Sequence, residues 1–137
     1  MRVMIIGCGR VGSVLANRLD EAGHEVVVLD RNQQAFRRLS EKFSGERIVG
    51  NGLIEDFLRP TLQEKTDILF AMTDKDNINL MIAQRVKLNF PLGEVIAVVH
   101  DSILAGLYKE LGVETVCPTD LVIKDLLQML QIIKESA

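Results

Sequence analysis

The sequence is poor in cysteine. Cys8 and Cys117 are the only two among 137 residues, too few for a disulfide scaffold, and no CxxC pair or His/Cys cluster suggests a metal site. It also lacks a strong charge of either sign. A formal net charge of −3 argues against a broad electrostatic grip on nucleic acid or anionic lipid. Charges or turn residues interrupt every apolar run before the roughly 20 residues that a spanning helix needs, so direct membrane insertion is not expected. Met1-Arg2-Val3 enters a strand-like run at once, which leaves no secretory signal and makes the cytoplasm the expected address. Missing too are a Ser/His/Asp set, a Tyr-x-x-x-Lys pair and a Walker-type GxxxxGK[ST], and the sole tyrosine, Tyr108, falls on a predicted helix. No catalytic residue and no enzymatic activity are expected.

What is present is an ordinary globular composition, 47% hydrophobic and 26% charged, long enough to bury the core of one domain spanning 1–137. Strand and helix alternate. Val3-Met4-Ile5-Ile6 is a short continuous apolar run ended by glycine, the pattern of a strand buried on both faces. Val11, Val14, Leu15 and Leu19 recur at helical spacing up to Gly23. Glu25–Leu29 is a second strand closed by Asp30. A helix carrying Phe36, Leu39 and Phe43 follows, then a strand around Ile48-Val49. Leu53, Phe57 and Leu58 mark a brief helix that Pro60 limits. Strand 67–71 precedes a helix capped by Asp76, and strand 94–99 precedes one bearing Ile103, Leu107 and Leu111. A short strand at Thr115-Val116 leads into a last helix over about 119–134. Such βα units predict an α/β fold, a Rossmann-like doubly wound parallel sheet of about six strands with helices on both faces.

The sharpest motif is Gly7-Cys8-Gly9-Arg10-Val11-Gly12, placed between the first strand and first helix, where a dinucleotide fingerprint must sit to work. Gly7 permits a tight turn, Gly9 lets backbone approach a diphosphate, and Gly12 lets helix and strand pack closely. The helix start then offers unpaired N–H groups and the positive end of its dipole to an anion. Asp30, 18 positions after Gly12, falls at the tip of the second strand within reach of ribose hydroxyls. Its charge disfavours a 2′-phosphate and hence NADP, although the neighbouring Arg31 is able to accommodate one. Arg10 is placed to pair with a pyrophosphate or with the terminal phosphates of ADP or ATP, or else to stand solvated on the surface. Cys8 at the helix start is either a small residue filling the turn or a thiol whose pKa the helix lowers.

These residues resemble the TrkA-N (KTN, or RCK N-terminal) nucleotide-binding domain of potassium-transport regulators. The likeness is carried by the glycine motif and then by Gly23-His24-Glu25-Val26-Val27-Val28-Leu29-Asp30. It continues through Gly50-Asn51-Gly52, the stretch Ala71-Met72-Thr73-Asp74-Lys75-Asp76-Asn77-Ile78-Asn79, and Leu111-Gly112-Val113-Glu114 with Pro118. It implies a cytosolic regulatory module, peripheral to the inner membrane face through a partner, that binds NAD or NADH, or alternatively ATP, ADP or AMP. It also implies a membrane potassium channel or transporter subunit as partner. Where the family usually has Gly-Asp, this chain has Gly50-Asn51. Asn51 still offers an amide oxygen to an adenine amino group, but adds a donor and carries no charge. Asn77 replaces a glutamate common in the family.

Thr73 and Asp74, at the fourth strand's exit, should lie on the sheet's carboxyl edge, where open α/β sheets place ligands. Thr73 either contacts the nucleotide or serves the turn; His100, on the same edge, is a hydrated loop residue or touches ligand or partner. The last helix is apolar over well over half its circumference: Leu121, Val122, Ile123, Leu126, Leu127, Met129, Leu130, Ile132 and Ile133. One sheet face cannot bury so wide a stripe, so burial in a homodimer or higher homo-oligomer is expected over a wide core-facing helix. Two further readings stand beside the regulatory one: an NAD-dependent oxidoreductase or a fragment of one, and a nucleotide-free interaction module.

Overall fold

Val3, Met4, Ile5 and Ile6 are all at most 1% exposed, which makes β1 (Arg2–Ile6) the centre of the sheet. The structure is a computed structural model and describes residues 1–62 and 65–136. The element order is β1, α1 (Arg10–Glu21), β2 (Glu25–Asp30), a 3-10 helix (Gln33–Arg38), β3 (Glu46–Val49), α2 (Glu55–Leu62) and β4 (Ile68–Ala71). Then follow α3 (Asp76–Asn89), β5 (Glu94–Val98), α4 (Ser102–Glu110), β6 (Glu114–Val116) and α5 (Pro118–Ser136). The six strands are parallel in the order β3-β2-β1-β4-β5-β6. The direction of winding reverses between β1 and β4, and the crevice at their carboxyl ends is the topological switch point. The expected doubly wound sheet is the observed one.

Alternate residues of β1 and β2 feed two cores. Met4, Ile6, Val27 and Leu29 pack with Leu58 and Leu62 of α2 and Ile82 and Val86 of α3. Val3, Ile5, Val26 and Val28 pack on the other face with Ala16 of α1, Ala35, Leu39 and Phe43. A third cluster joins α3 and α4 over β5 through Leu80, Ala83, Ala97, Val99 and Ala105. Val95, Ala97 and Val99 share that face, so Ile96 and Val98 face the other way, where they are only half-buried.

Four local expectations are corrected. Phe36, Leu39 and Phe43 do not share a helix, because only Gln33–Arg38 is helical, and in 3-10 form. Beyond it, side chains of α1 take the amides that a longer helix would have used: Asn17 Oδ1 accepts from Ser40 N at 2.9 Å, and Asp20 accepts from Ser44 N at 2.9 Å. Pro60 does not end α2 but lies inside it. Its ring forfeits one internal hydrogen bond, while Leu58 and Leu62, both buried, hold the helix to the sheet. Val11 and Val14 are 68% and 48% exposed, so they are not the packed face of α1. Gly12, Ser13 and Ala16 are the buried residues there, while Leu15 and Leu19 are partly buried against the same core.

Asp76 is the fourth. It is the first residue of α3 and not its cap, a position taken by Lys75. Its carboxylate instead accepts from His100 N at 2.8 Å, Asp101 N at 3.0 Å and His100 Nδ1 at 3.0 Å, tying α3 to the loop after β5. Asp101 then caps α4, accepting from Ile103 N and Leu104 N.

Among the described residues no helix is long and apolar enough to cross a membrane. The last helix has no buried residue at all, so it is not a wide core-facing helix.

Gly12 and Gly9 should respond differently to a methyl group. A Cβ on Gly12 would run into the Gly7 carbonyl oxygen, whereas one on Gly9 meets nothing within 4 Å. Urea melts should therefore show Gly12→Ala destabilised by about 2 kcal/mol or more. Gly9→Ala should cost less, about 0.5–1 kcal/mol, because alanine meets no clash there but is a poorer N-cap than glycine.

Candidate functional site

The turn from β1 into α1 forms the floor of a cleft. Gly7 has φ +112°, a left-handed conformation, and a Cβ on it would lie 2.5 Å from the Met72 carbonyl oxygen. The loops after β1 and β4 thus touch through main chain. Gly7 N donates to Leu29 O at 2.8 Å and Met72 N to Ile6 O at 2.8 Å, which carries the sheet's bonding into both loops. Gly9 is the N-cap of α1 and brings no side chain to cap it. Internal bonding starts at Ser13 N to Gly9 O, 2.9 Å, so the amides of Arg10, Val11 and Gly12 have no partner within the helix.

Around this turn lies a cleft of about 420 Å³ at the carboxyl edge of the sheet, within the range of small-ligand sites. Its walls bring together Gly7, Cys8, Gly9, Asp30, Arg31, Asn51, Gly52, Thr73 and Asp74. Arg10, Val11 and Gly12 do not line it. Arg10 and Val11 are exposed on the outer side of α1 and Gly12 is packed beneath the turn. Sequence reasoning missed Asn32, Arg38 and Lys75 in the lining, together with the apolar Ile78 and Ile82. The signal for Arg38 was present in the charged stretch after β2, but only the 3-10 helix turns that residue back toward the glycine turn.

The polar side chains are held by their own networks. Asp30 Oδ2 accepts from Cys8 N at 2.8 Å and its Oδ1 from Asn32 N at 2.8 Å. The carboxylate therefore fixes the glycine turn, and each oxygen keeps a lone pair for a further donor. Asn51 Oδ1 accepts from Leu53 N at 2.9 Å, so part of the capacity assigned to adenine is already used in turning the chain. Thr73 is bound to Asn79, which is fully buried. Thr73 N and Oγ1 both donate to Asn79 Oδ1, at 2.8 and 2.6 Å, while Asn79 Nδ2 donates to Thr73 O at 3.1 Å and Val98 O at 2.8 Å. The hydroxyl of Thr73 is thus engaged in the turn.

Burial pushes the Cys8 thiol up, the Asp30 carboxylate pushes it further, and Arg38 and Arg47 counter only in part. With no exposed surface and its Sγ donating to Ala35 O at 3.5 Å, Cys8 fills the turn and is no lowered-pKa thiol. For Asp76 burial acts upward. The hydrogen bonds from His100 and Asp101 outweigh it and hold the carboxyl below the usual range. Among the described residues there is no group of His, Cys, Asp and Glu arranged to hold a metal ion.

Chemically, the cleft offers a carboxylate with spare lone pairs, three cations and an apolar strip, beside a helix start whose first amides have no internal partner. That set suits a phosphorylated, hydroxyl-bearing ligand with a flat apolar part. Residues 3–119 match the sequence model of the TrkA-N domain. The chain is 40% identical over 116 residues to the Trk system potassium uptake protein TrkA of Streptomyces coelicolor, a match covering 85% of this chain and 52% of that protein. It therefore spans about half the length of that relative. Its fold is similar to the TrkA-N domain of the inner membrane protein ybaL from Escherichia coli, with TM-score 0.82 at 22% identity over 94% of this chain and 96% of that one. It is similar as well to the Shewanella denitrificans Kef CTD in AMP-bound form, with TM-score 0.78 at 22% identity over 97% and 82% of the two chains.

Two outcomes are expected of these networks. Cys8 should resist iodoacetamide in the folded protein and react once it is denatured, as mass spectrometry would register. Because folding lowers the Asp76 pKa from its ordinary 3.8, its stabilisation is present above that value and is lost as pH falls through the folded pKa. Asp76→Asn should thus cost about 1 kcal/mol at pH 7, and the gap to the parent in urea melts should close as the pH is lowered below about 4.

Proposed function

The chain belongs to the TrkA-N domain family, and from that footing we propose that it is a cytosolic regulatory module of potassium transport that binds an adenine nucleotide in the cleft after β1. NAD or NADH, or alternatively ATP, ADP or AMP, is the ligand; a membrane potassium channel or transporter subunit is the partner. The role is binding and not turnover. Ligand exchange acts by favouring one arrangement of the assembly over another, through the difference in affinity for the two.

The observation that carries this reading is the turn itself: glycines that leave room for a diphosphate, over three helix-start amides with no internal partner. In this reading the open face of Gly9 admits the diphosphate to the amides of Arg10, Val11 and Gly12 beside the cleft, and the Arg10 guanidinium swings in from the outer side of α1 to meet its outer oxygens. Asp30 accepts from the ribose through its remaining lone pairs, with Arg31 beside it. Asn51 and Gly52 border the adenine, and Thr73 and Asp74 line the far side through main chain and carboxylate.

The partner of α5 in this proposal is a second copy of the chain. Leu126, Leu127, Leu130, Ile132 and Ile133 are each 58% or more exposed, an apolar surface that water does not favour. Ile96 and Val98 are half-buried and Val116 is 39% exposed, which supplies apolar strand surface for such a helix to cover. The whole chain is then one domain whose last helix serves the interface.

Purified protein stripped of carried ligand should melt several degrees higher with at least one of NAD, NADH, ATP, ADP and AMP. Gly9→Val, whose Cβ meets nothing within 4 Å, should abolish that shift while losing, without ligand, only the roughly 1 kcal/mol that a poorer N-cap costs. A parent that melts at one temperature with all five would sink the reading. Light scattering should give a dimer or larger species, and Leu126→Lys with Leu130→Lys should convert it to monomer.

A further inference from the structure

Lys75 is an unusual residue to find where it is. It is the N-cap of α3, with extended backbone (φ −119°, ψ 119°) and no side-chain capping bond. N-cap positions favour Ser, Thr, Asp or Asn, which satisfy the first amides. A cation there also meets the positive end of the helix dipole. The placement is firm: Lys75 N donates to Thr73 Oγ1 at 3.3 Å, and Thr73 is bound to the fully buried Asn79.

Among the described residues the Lys75 ammonium is held in no ion pair. Asp76, the next residue, spends its carboxylate on His100 and Asp101. Of the two acids that line the main cleft, Asp30 is engaged with Cys8 and Asn32. The second, Asp74, stands beside Lys75 on the same rim. Both residues line the main cleft and also a shallower hollow of about 510 Å³ that continues past it to Asn77, His100 and Leu104. Lys75 thus stands on the β4 side of the cleft, across β1 from Asp30 and Arg31.

This arrangement deepens the proposed function and rests on it. A dinucleotide that places its adenosine by Asp30 and its diphosphate on the α1 amides extends its second half toward the β4 exit. The nicotinamide ring of that half is neutral when reduced and carries a positive charge when oxidised. We propose that Lys75 is a specificity-determining residue that biases the cleft toward the reduced dinucleotide, by repelling the oxidised ring. The discrimination is electrostatic and needs no reaction at the ring. At this exposed rim it amounts at low salt to about a fivefold difference in affinity, which corresponds to about 1 kcal/mol.

The test is the ratio of NAD to NADH dissociation constants, measured by calorimetry at low salt for the parent, Lys75→Met and Lys75→Arg. Asp74 is present in all three, so its opposite pull cancels in the comparison. Lys75→Met should lower the ratio about fivefold, chiefly by tightening NAD, and Lys75→Arg should retain the parental ratio. The difference should shrink at high salt. A ratio unchanged in Lys75→Met, or a parent that binds mononucleotides but neither dinucleotide, overturns the role of Lys75 and leaves the nucleotide-binding reading intact. A parent that binds no adenine nucleotide overturns the reading beneath it as well.

Discussion

The fold and its cleft both depend on how closely α1 is allowed to approach β1. Gly12 lies against the carbonyl of Gly7, and Gly7 in turn lies against the main chain of Met72. Three segments of backbone meet with no side chain between them. Only glycine fits at these two points, one for lack of a Cβ and the other also for its positive φ. The consequence runs in both directions. Inward, the close approach restricts the buried face of α1 to Gly12, Ser13 and Ala16; outward, it aims the first amides of the helix at the open end of the sheet.

The side chains around this crossing maintain it at least as much as they decorate it. Asp30 joins the tip of β2 to the glycine turn through Cys8 N, while Asn79 joins the exits of β4 and β5 through Thr73 and Val98. Both are polar groups used where a buried or half-buried loop would otherwise leave main-chain atoms unpaired. Asn79 is a strong case, because its amide meets four hydrogen-bonding partners with no exposed surface. A carboxylate or amide at a cleft lip can therefore fix a loop and still face a ligand with its unused lone pairs.

Much of the architecture was legible in the sequence because it follows from periodicity. Continuous apolar runs gave the central strands, and the glycine spacing gave the turn at the switch point. Where legibility failed, the cause was tertiary. The helix expected through Phe43 stops at Arg38 because Asn17 and Asp20 of α1 capture the amides beyond it, an interaction across 23 and 24 residues. Pro60 stays inside α2 because packing of Leu58 and Leu62 outweighs one missing hydrogen bond. Arg38 joins the lining of the cleft through the 3-10 helix that it ends and Lys75 through the loop after β4, and no local pattern encodes either placement. Val11 keeps the helical spacing of the apolar stripe yet falls outside the packed face, because the tight crossing sets Gly12, Ser13 and Ala16 against the sheet with Leu15 and Leu19 at its margin.

The last helix hangs from the domain by its first turn. Asp120 accepts from Ser102 Oγ at 2.7 Å, and Ser102 follows the Asp101 that Asp76 holds. At about 1.5 Å per residue, 19 residues make a rod roughly 28 Å long. A tilt of about 10° at such a root carries the far tip through about 5 Å, on the scale of one helical turn. The geometry is that of a lever with its fulcrum beside the β5 exit, so that displacements too small to disturb the sheet become large at the free end.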